Sequence, residues 1–246
     1  MLNDPTLLAI ALIAAVCIGL SKAGFSGISM VSVVLLADIY GAKASVGLAL
    51  PLLIAADLMA YPAFIRHGSW KPVWKLLPAT VVGLLLGWWL LGGIDDVVAR
   101  RVIGGCVLFM VVVQALRKWK PALFDAMADS RSFGYSAGVM GGFSTMLANA
   151  AGPVIQLYLL TRRIPKMELI GIGARFFLLI NILKIPLNAK LALITEESLW
   201  ENAKLLPGVF AGILIGRWLI GRVPQAAFEW MIVGFSFFAA ARLICS

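Results

Sequence analysis

The sequence predicts an all-α integral membrane protein built as two inverted repeats of five helical elements, each repeat starting with a short broken or re-entrant helix pair. Three observations lead there. Hydrophobic residues make up 61% of the 246 positions and charged residues only 13%, against the roughly 25% charge of a soluble domain. Residues 75–92, KLLPATVVGLLLGWWLLG, and residues 204–221, KLLPGVFAGILIGRWLIG, agree at ten of eighteen positions. A match of that quality at a spacing near half the chain marks a duplication, with a first membrane repeat over 1–122 and a second over 123–246. Third, basic and acidic connections alternate along the chain, which is how membrane topology is written in sequence.

The first half opens with apolar elements at 5–20 and 25–40. Both fall short of the roughly 20 residues that a spanning helix needs, and glycine-rich sequence from Gly19 to Gly27 divides them. Elements at 45–65, 71–93 and 97–117 are long enough. The second half repeats the order. Elements at 133–147 and 152–162 are short and divided by the stretch Gly138 to Gly152, and those at 167–191, 199–221 and 224–244 are long. Short, interrupted segments at matching places in two halves point to a transport site. They read as hairpins that dip into the membrane and return, with full crossings by short helices as the alternative.

Connections 66–75, 117–131, 162–168 and 217–222 are basic, carrying among others Arg66, Lys71, Lys75, Arg117, Lys118, Lys120, Arg162, Arg163, Lys166, Arg217 and Arg222. Asp95 with Asp96, and Glu196, Glu197 and Glu201, mark the acidic connections between them. Basic connections belong in the cytoplasm, so both termini are expected outside, with Arg100 and Arg101 as exceptions. Each half then makes an odd number of crossings, and the second copy is upside down relative to the first.

Other function classes fit poorly. The formal charge of +9 lies in short clusters between apolar runs, not in a nucleic-acid-binding stripe, and no nucleic-acid partner is expected. No charged n-region with a short apolar core and cleavage site precedes the first segment, so no signal peptide is expected. Cys17, Cys106 and Cys245 read as small buried hydrophobes. The chain has one histidine, His67, which reads as a solvated loop residue. No HExxH, no Cys/His ligand set and no nucleophile–base pair stands out, so no enzyme activity, cofactor or metal is expected. The glycines of Gly83-x-x-x-Gly87 and Gly212-x-x-x-Gly216 allow close helix packing, and they permit a homodimer without requiring one. The tryptophans mostly lie near segment ends, where indoles anchor to the bilayer interface.

Two broken hairpins entering from opposite faces would meet near the midplane, and non-helical backbone at that depth must line a cavity or be buried in protein. Helices starting at the breaks present unpaired N–H groups and a partial positive charge. Gly152-Pro153 suits such a start, and Ser26 and Ser29 can cap the equivalent start near Gly27. Two helix N-termini facing one cavity favour a small anionic substrate. Ser21-Lys22-Ala23-Gly24-Phe25-Ser26-Gly27 sets a lysine at the first break, either as a site residue or snorkelling to an edge. Asn149, with Ser144 and Thr145, lies in the second break as a cap, a ligand contact or both. In 167–191, Asn181 and Lys184 share a helix face, whereas Arg175 lies about 240° around the helix from Asn181, so the two need not face one cavity. Asp57 is the one acid deep in an apolar segment, open to an ion pair with Lys22 or another cation, or to carrying a proton.

Several of these stretches resemble the sulfite exporter family TauE/SafE over nearly the whole chain: Ser21 to Gly27, Leu77-Pro78 with Gly83 and Gly87-Trp88-Trp89, Gly142-Phe143-Ser144-Thr145, Gly152-Pro153, Tyr158-Leu159-Leu160, and Phe176-Phe177 with Asn181 and Lys184. The resemblance implies transport of small sulfur-containing anions, sulfite or organosulfonates, across the bacterial inner membrane. By that resemblance Lys22, Asn149 and the face of element 167–191 would line the path; the residue-level reading adds Gly24, Ser26, Gly27, Gly152, Arg175 and Asn181 as substrate contacts and Asp57 as the candidate for proton coupling. Related members often carry His where this chain has Asn149, and an uncharged residue where it has Arg175. A passive anion channel with the same site remains the alternative to a carrier.

Overall fold

The computed structural model describes residues 4–25, 28–64, 66–120, 122, 130–161, 165–219, 222, 234, 237, 241 and 244. Among these the chain forms nine helices and no strand: α1 (Pro5–Lys22), α2 (Ser29–Tyr40), α3 (Ala42–Phe64), α4 (Lys71–Gly93), α5 (Asp96–Trp119), α6 (Arg131–Ala148), α7 (Gly152–Thr161), α8 (Lys166–Lys190) and α9 (Glu196–Leu219). They match the first nine expected elements in order. The tenth, 224–244, lies almost wholly outside the described residues. Four helices, at Pro5–Lys22, Ala42–Phe64, Lys71–Gly93 and Met167–Lys190, are long and apolar enough to cross a membrane.

Helix starts follow local chemistry. The Asp4 carboxylate accepts from the N–H of Thr6 at 2.8 Å ahead of Pro5, and the Asp95 carboxylate accepts from Val98 at 2.7 Å, each satisfying an orphan donor of the first turn. The Asp96 carboxylate reaches across to the N–H groups of Ala42 and Lys43, at 3.3 and 2.9 Å. Lys43 Nζ in turn donates to the Ile94 carbonyl at 2.8 Å. The end of α2, the start of α3, the end of α4 and the start of α5 therefore meet at one end of the molecule, the acidic end. Arg100 belongs there as the counter-ion of Asp38, 3.6 Å away, which accounts for one exception to the charge alternation.

Glycines set the helix pairs. A Cβ on Gly83 would lie 2.0 Å from the Val139 carbonyl oxygen, and one on Gly142 would lie 2.0 Å from that of Thr80, so α4 and α6 touch backbone to backbone. A Cβ on Gly212 would meet the Val16 carbonyl oxygen at 2.2 Å, and one on Gly19 that of Val209 at 2.1 Å, which joins α9 to α1 in the same manner. Contacts advance in the same direction along both partners, so each pair runs parallel. A third reciprocal contact joins the long central helices. Gly47 of α3 presses on Leu193, just past α8, and Gly171 of α8 presses on His67, just past α3, each with a hypothetical Cβ 2.0 Å from a carbonyl oxygen.

These pairings fix where the hairpins turn. Leu193 against Gly47 puts the start of α9 at the acidic end, and α1, parallel to α9, begins there too. Because α2 also finishes there, α1 and α2 return to the end from which they set out. The pair α6 and α7 does the same at the opposite, basic end, where Gly68 meets Glu168 and Ile172. The breaks are shorter than the glycine content predicts. Gly19 lies within α1, and Gly138, Gly141 and Gly142, with Ser144 and Thr145, lie within α6. In these helices glycine serves close approach, not interruption, and only residues 149–151 separate α6 from α7. Exposed Trp74, Trp89, Trp218 and Phe210 coat the outside as expected of a lipid-facing surface.

Candidate functional site

The two hairpin tips meet where α3 passes α8. Lys22 is the last residue of α1, where the helix C-terminus favours a cation. Its Nζ lies 2.7 Å from Asp57 Oδ1 and 4.9 Å from the centroid of the Phe177 ring, a cation–π distance. Asp57 is buried, only 2% exposed, and its second oxygen accepts from Asn181 Nδ2 at 2.7 Å. Asp57 and Asn181 stand 124 residues apart, as do Gly47 and Gly171, and Pro62 and Pro186. The carboxylate and the amide thus occupy corresponding positions on α3 and α8, and they bond to each other.

The second tip adds a parallel cluster. Asn149 closes α6 with φ of 51°, in the left-handed region that asparagine tolerates as a helix C-cap. Its Nδ2 donates to the Val46 carbonyl at 3.2 Å, while its Oδ1 accepts from Lys184 Nζ. Lys184, fully buried, also approaches Thr145 Oγ1 at 3.4 Å. One turn on, Asn188 donates to the Lys184 carbonyl at 3.2 Å.

Between the tips lies a cavity of about 100 Å³. Lys22, Asp57, Asn149, Asn181, Thr145 and Gln156 give it a polar side, and Leu53, Ile155, Leu159, Leu169, Ile170 and Phe177 an apolar one. Ser29 and Gly152, the first residues of α2 and α7, both border it, so two helix N-termini face the same space. Ser29 is a first-turn residue and not a cap: the N-cap position is Ile28, with no side-chain cap bond. The lining leans toward the basic end, through Ala60 of α3 and Leu169 to Ala174 of α8. Lys22 and Asp57 border this space, and Lys184 lies behind it on Asn149.

Of the residues singled out in the sequence, Lys22, Gly24, Asp57, Asn149, Gly152 and Asn181 gather at the cavity. Ser26 and Gly27 lie outside the described residues. Arg175 lies elsewhere, as its helical angle from Asn181 allows. One guanidinium nitrogen donates to the carbonyls of His67 at 2.5 Å and Gly171 at 2.9 Å, and the group sits 5.9 Å from the Trp70 ring centroid. Gln156 and Phe177 were not legible as lining residues. Lys184 shares a face with Asn181, but its tie to Asn149 depends on the left-handed turn and has no sequence signature.

The profile of the sulfite exporter TauE/SafE family matches residues 7–243. The chain belongs to the TauE/SafE sulfite exporter family. No curated protein and no solved structure matches it. As a TauE/SafE protein it is a multi-pass membrane protein of a transport family.

Proposed function

We propose that this TauE/SafE protein is a secondary carrier of small sulfur-containing anions, of the sulfite or organosulfonate class, working by alternating access between two inverted halves, 1–122 and 123–246. The observation that carries the reading is the cavity itself, where Lys22, Asn149, Asn181 and two helix N-termini surround a space that also holds the Asp57 carboxylate. The inverted relation is supported by reciprocity: α4 on α6 with α9 on α1, Gly47 on Leu193 with Gly171 on His67, and Asp57 against its counterpart Asn181. An axis relating the halves would pass near that last pair and lie in the membrane plane.

In this reading an anion enters from the basic end, the cytoplasm of an inner-membrane protein by the positive-inside rule, and the first residues of the chain lie on the periplasmic side. The anion's oxygens take N–H groups from the starts of α2 and α7 and compete with Asp57 for the Lys22 ammonium. Asn149 and Asn181 orient it, and the backbone around Gly24 and Gly152 allows close approach. A proton on Asp57 would neutralise the competitor and release Lys22 to the substrate, which is how coupling to a proton gradient would arise. We assign Arg175 a bracing role, holding α8 to the segment after α3. Among the described residues the cavity stops at the Asn149–Lys184 layer, which favours a carrier over a passive channel.

Counterflow tests this. Proteoliposomes loaded with unlabelled isethionate should accumulate external labelled isethionate transiently, and sulfite should compete. Flux that only dissipates a gradient, with no counterflow, would establish the channel instead.

A further inference from the structure

The cavity occupies only half of the route across the protein, and the residues beyond it are not those of an ordinary apolar seal. Past Asn181 on α8, Lys184 and Asn188 continue the same stripe toward the acidic end, both fully buried. Two of the three ammonium hydrogens of Lys184 are accounted for by Asn149 and Thr145. The Asn188 amide donates to the Lys184 carbonyl, and its Oδ1 is buried with no hydrogen-bond partner among the described residues. A buried acceptor without a partner is costly. It is tolerated where another state of the protein supplies the missing donor.

The 124-residue register between α3 and α8 says which state that is. Ala60, which lines the open cavity, corresponds to Lys184. Phe64 at the basic end of α3 corresponds to Asn188. Leu169 and Gly173, lining residues on α8, correspond to Ser45 and Ala49 on α3, both buried. Exchanging the conformations of the two halves therefore closes the present cavity and opens its mirror image toward the acidic end, bordered by Ser45, Ala49, Lys184 and Asn188.

We propose that Lys184 and Asn188 form a second anion half-site, facing the acidic end and shut in this structure, where Lys184 takes the part that Lys22 plays at the open side. When it opens, water or the Lys184 ammonium satisfies Asn188 Oδ1, and Lys184 turns from Asn149 to the anion. The inference rests on the carrier reading above and deepens it: a substrate passes from one lysine to the other across the Asp57–Asn181 pair.

Cysteine accessibility in membrane vesicles tests the two readings separately. Cys17, Cys106 and Cys245 are first replaced, then single cysteines are placed as Ala60→Cys, Asn188→Cys and Ser45→Cys in the full chain. Ser45→Cys is nearly isosteric and serves if Asn188→Cys folds poorly. A charged, impermeant thiol reagent is applied to each face, with and without isethionate. Ala60→Cys should react only from the basic-end face. Asn188→Cys and Ser45→Cys should react only from the acidic-end face, about 10- to 1000-fold more slowly than a fully exposed thiol, because a minor state is commonly populated at about 0.1–10%. Isethionate should slow all three. If Ala60→Cys reacts while neither of the other two does from either face, the second half-site is overturned and the open cavity stands. Reaction of Asn188→Cys and Ser45→Cys from the same face as Ala60→Cys overturns it as well. No reaction at Ala60→Cys from the basic-end face removes the cavity reading itself, and the half-site with it.

Discussion

Removing the Asp57 carboxylate exposes how the tip of α1 is held. In Asp57→Ala the Lys22 ammonium loses a partner 2.7 Å away and the Asn181 amide loses its acceptor. Breaking a buried ion pair from one side costs about 3–5 kcal/mol, because the remaining charge is left uncompensated. The Lys22 side chain is 12% exposed and borders the cavity, so water entering there brings the cost to the lower end, about 3 kcal/mol. At about 2–4 °C per kcal/mol for a chain of this size, the melting temperature of the purified protein should fall by roughly 6–12 °C. Replacing both partners, as Lys22→Met with Asp57→Leu, removes the charge together with its counter-charge. That double variant should recover most of the loss, to within about 1 kcal/mol of wild type, yet bind no isethionate. Thermal melts of wild type, Lys22→Met, Asp57→Leu and the double variant in one detergent give the cycle. A single variant that melts like wild type, or a double variant that melts as low as the single, would refute the pairing as the element that holds the tip.

Three further outcomes follow from the packing. Gly142→Val places carbon where the Thr80 carbonyl oxygen would be 2.0 Å from Cβ, so it should abolish monodisperse protein on size-exclusion chromatography, whereas Gly105→Ala, with nothing within 4 Å among the described residues, should elute as wild type. Arg175→Gln should weaken two charge-assisted bonds to carbonyls and lower stability by about 1.5–3 kcal/mol, read as a lower melting temperature, while isethionate affinity measured by calorimetry stays within twofold, ~0.4 kcal/mol. An affinity loss well beyond that would return Arg175 to the site. Trp88→Phe removes the indole N–H that donates to the Leu187 carbonyl at 3.0 Å and should cost about 1 kcal/mol, visible as a melting shift of a few degrees.

How much of this was legible in sequence depends on what each residue type reports. Apolar run length and the repeated KLLP segment gave the helix order, because helices that cross hydrocarbon must be long and greasy. Glycine was ambiguous. Gly138, Gly141 and Gly142 read as a break but lie inside α6, since the same missing Cβ serves a turn or a close helix contact, and only the positions of α4 and α7 decide between them. Lys22 and Asp57 stood out as charges in apolar sequence, and their pairing was one of the readings left open. The match proposed between α3 and α8 was hidden because it aligns Asp57 with Asn181, Ala60 with Lys184 and Phe64 with Asn188, unlike residues at matching places. Arg175 carried the strongest charge signal in α8 and yet sits off the cavity. A guanidinium in a membrane protein is as well satisfied by backbone carbonyls as by a ligand, and sequence does not tell which it has.

Ligand-induced stabilisation, compared between wild type and Lys22→Gln, reaches furthest into whether the space between the hairpin tips is an anion site. Purified protein is melted with sulfite, sulfate, sulfoacetate, isethionate and matched carboxylates. A ligand at a hundred times its dissociation constant adds about 2.7 kcal/mol, so one or more sulfur anions should raise the wild-type melting temperature by roughly 5–10 °C and leave Lys22→Gln unmoved. Wild type indifferent to every anion, or Lys22→Gln stabilised as strongly as wild type, would contradict an anion site at Lys22.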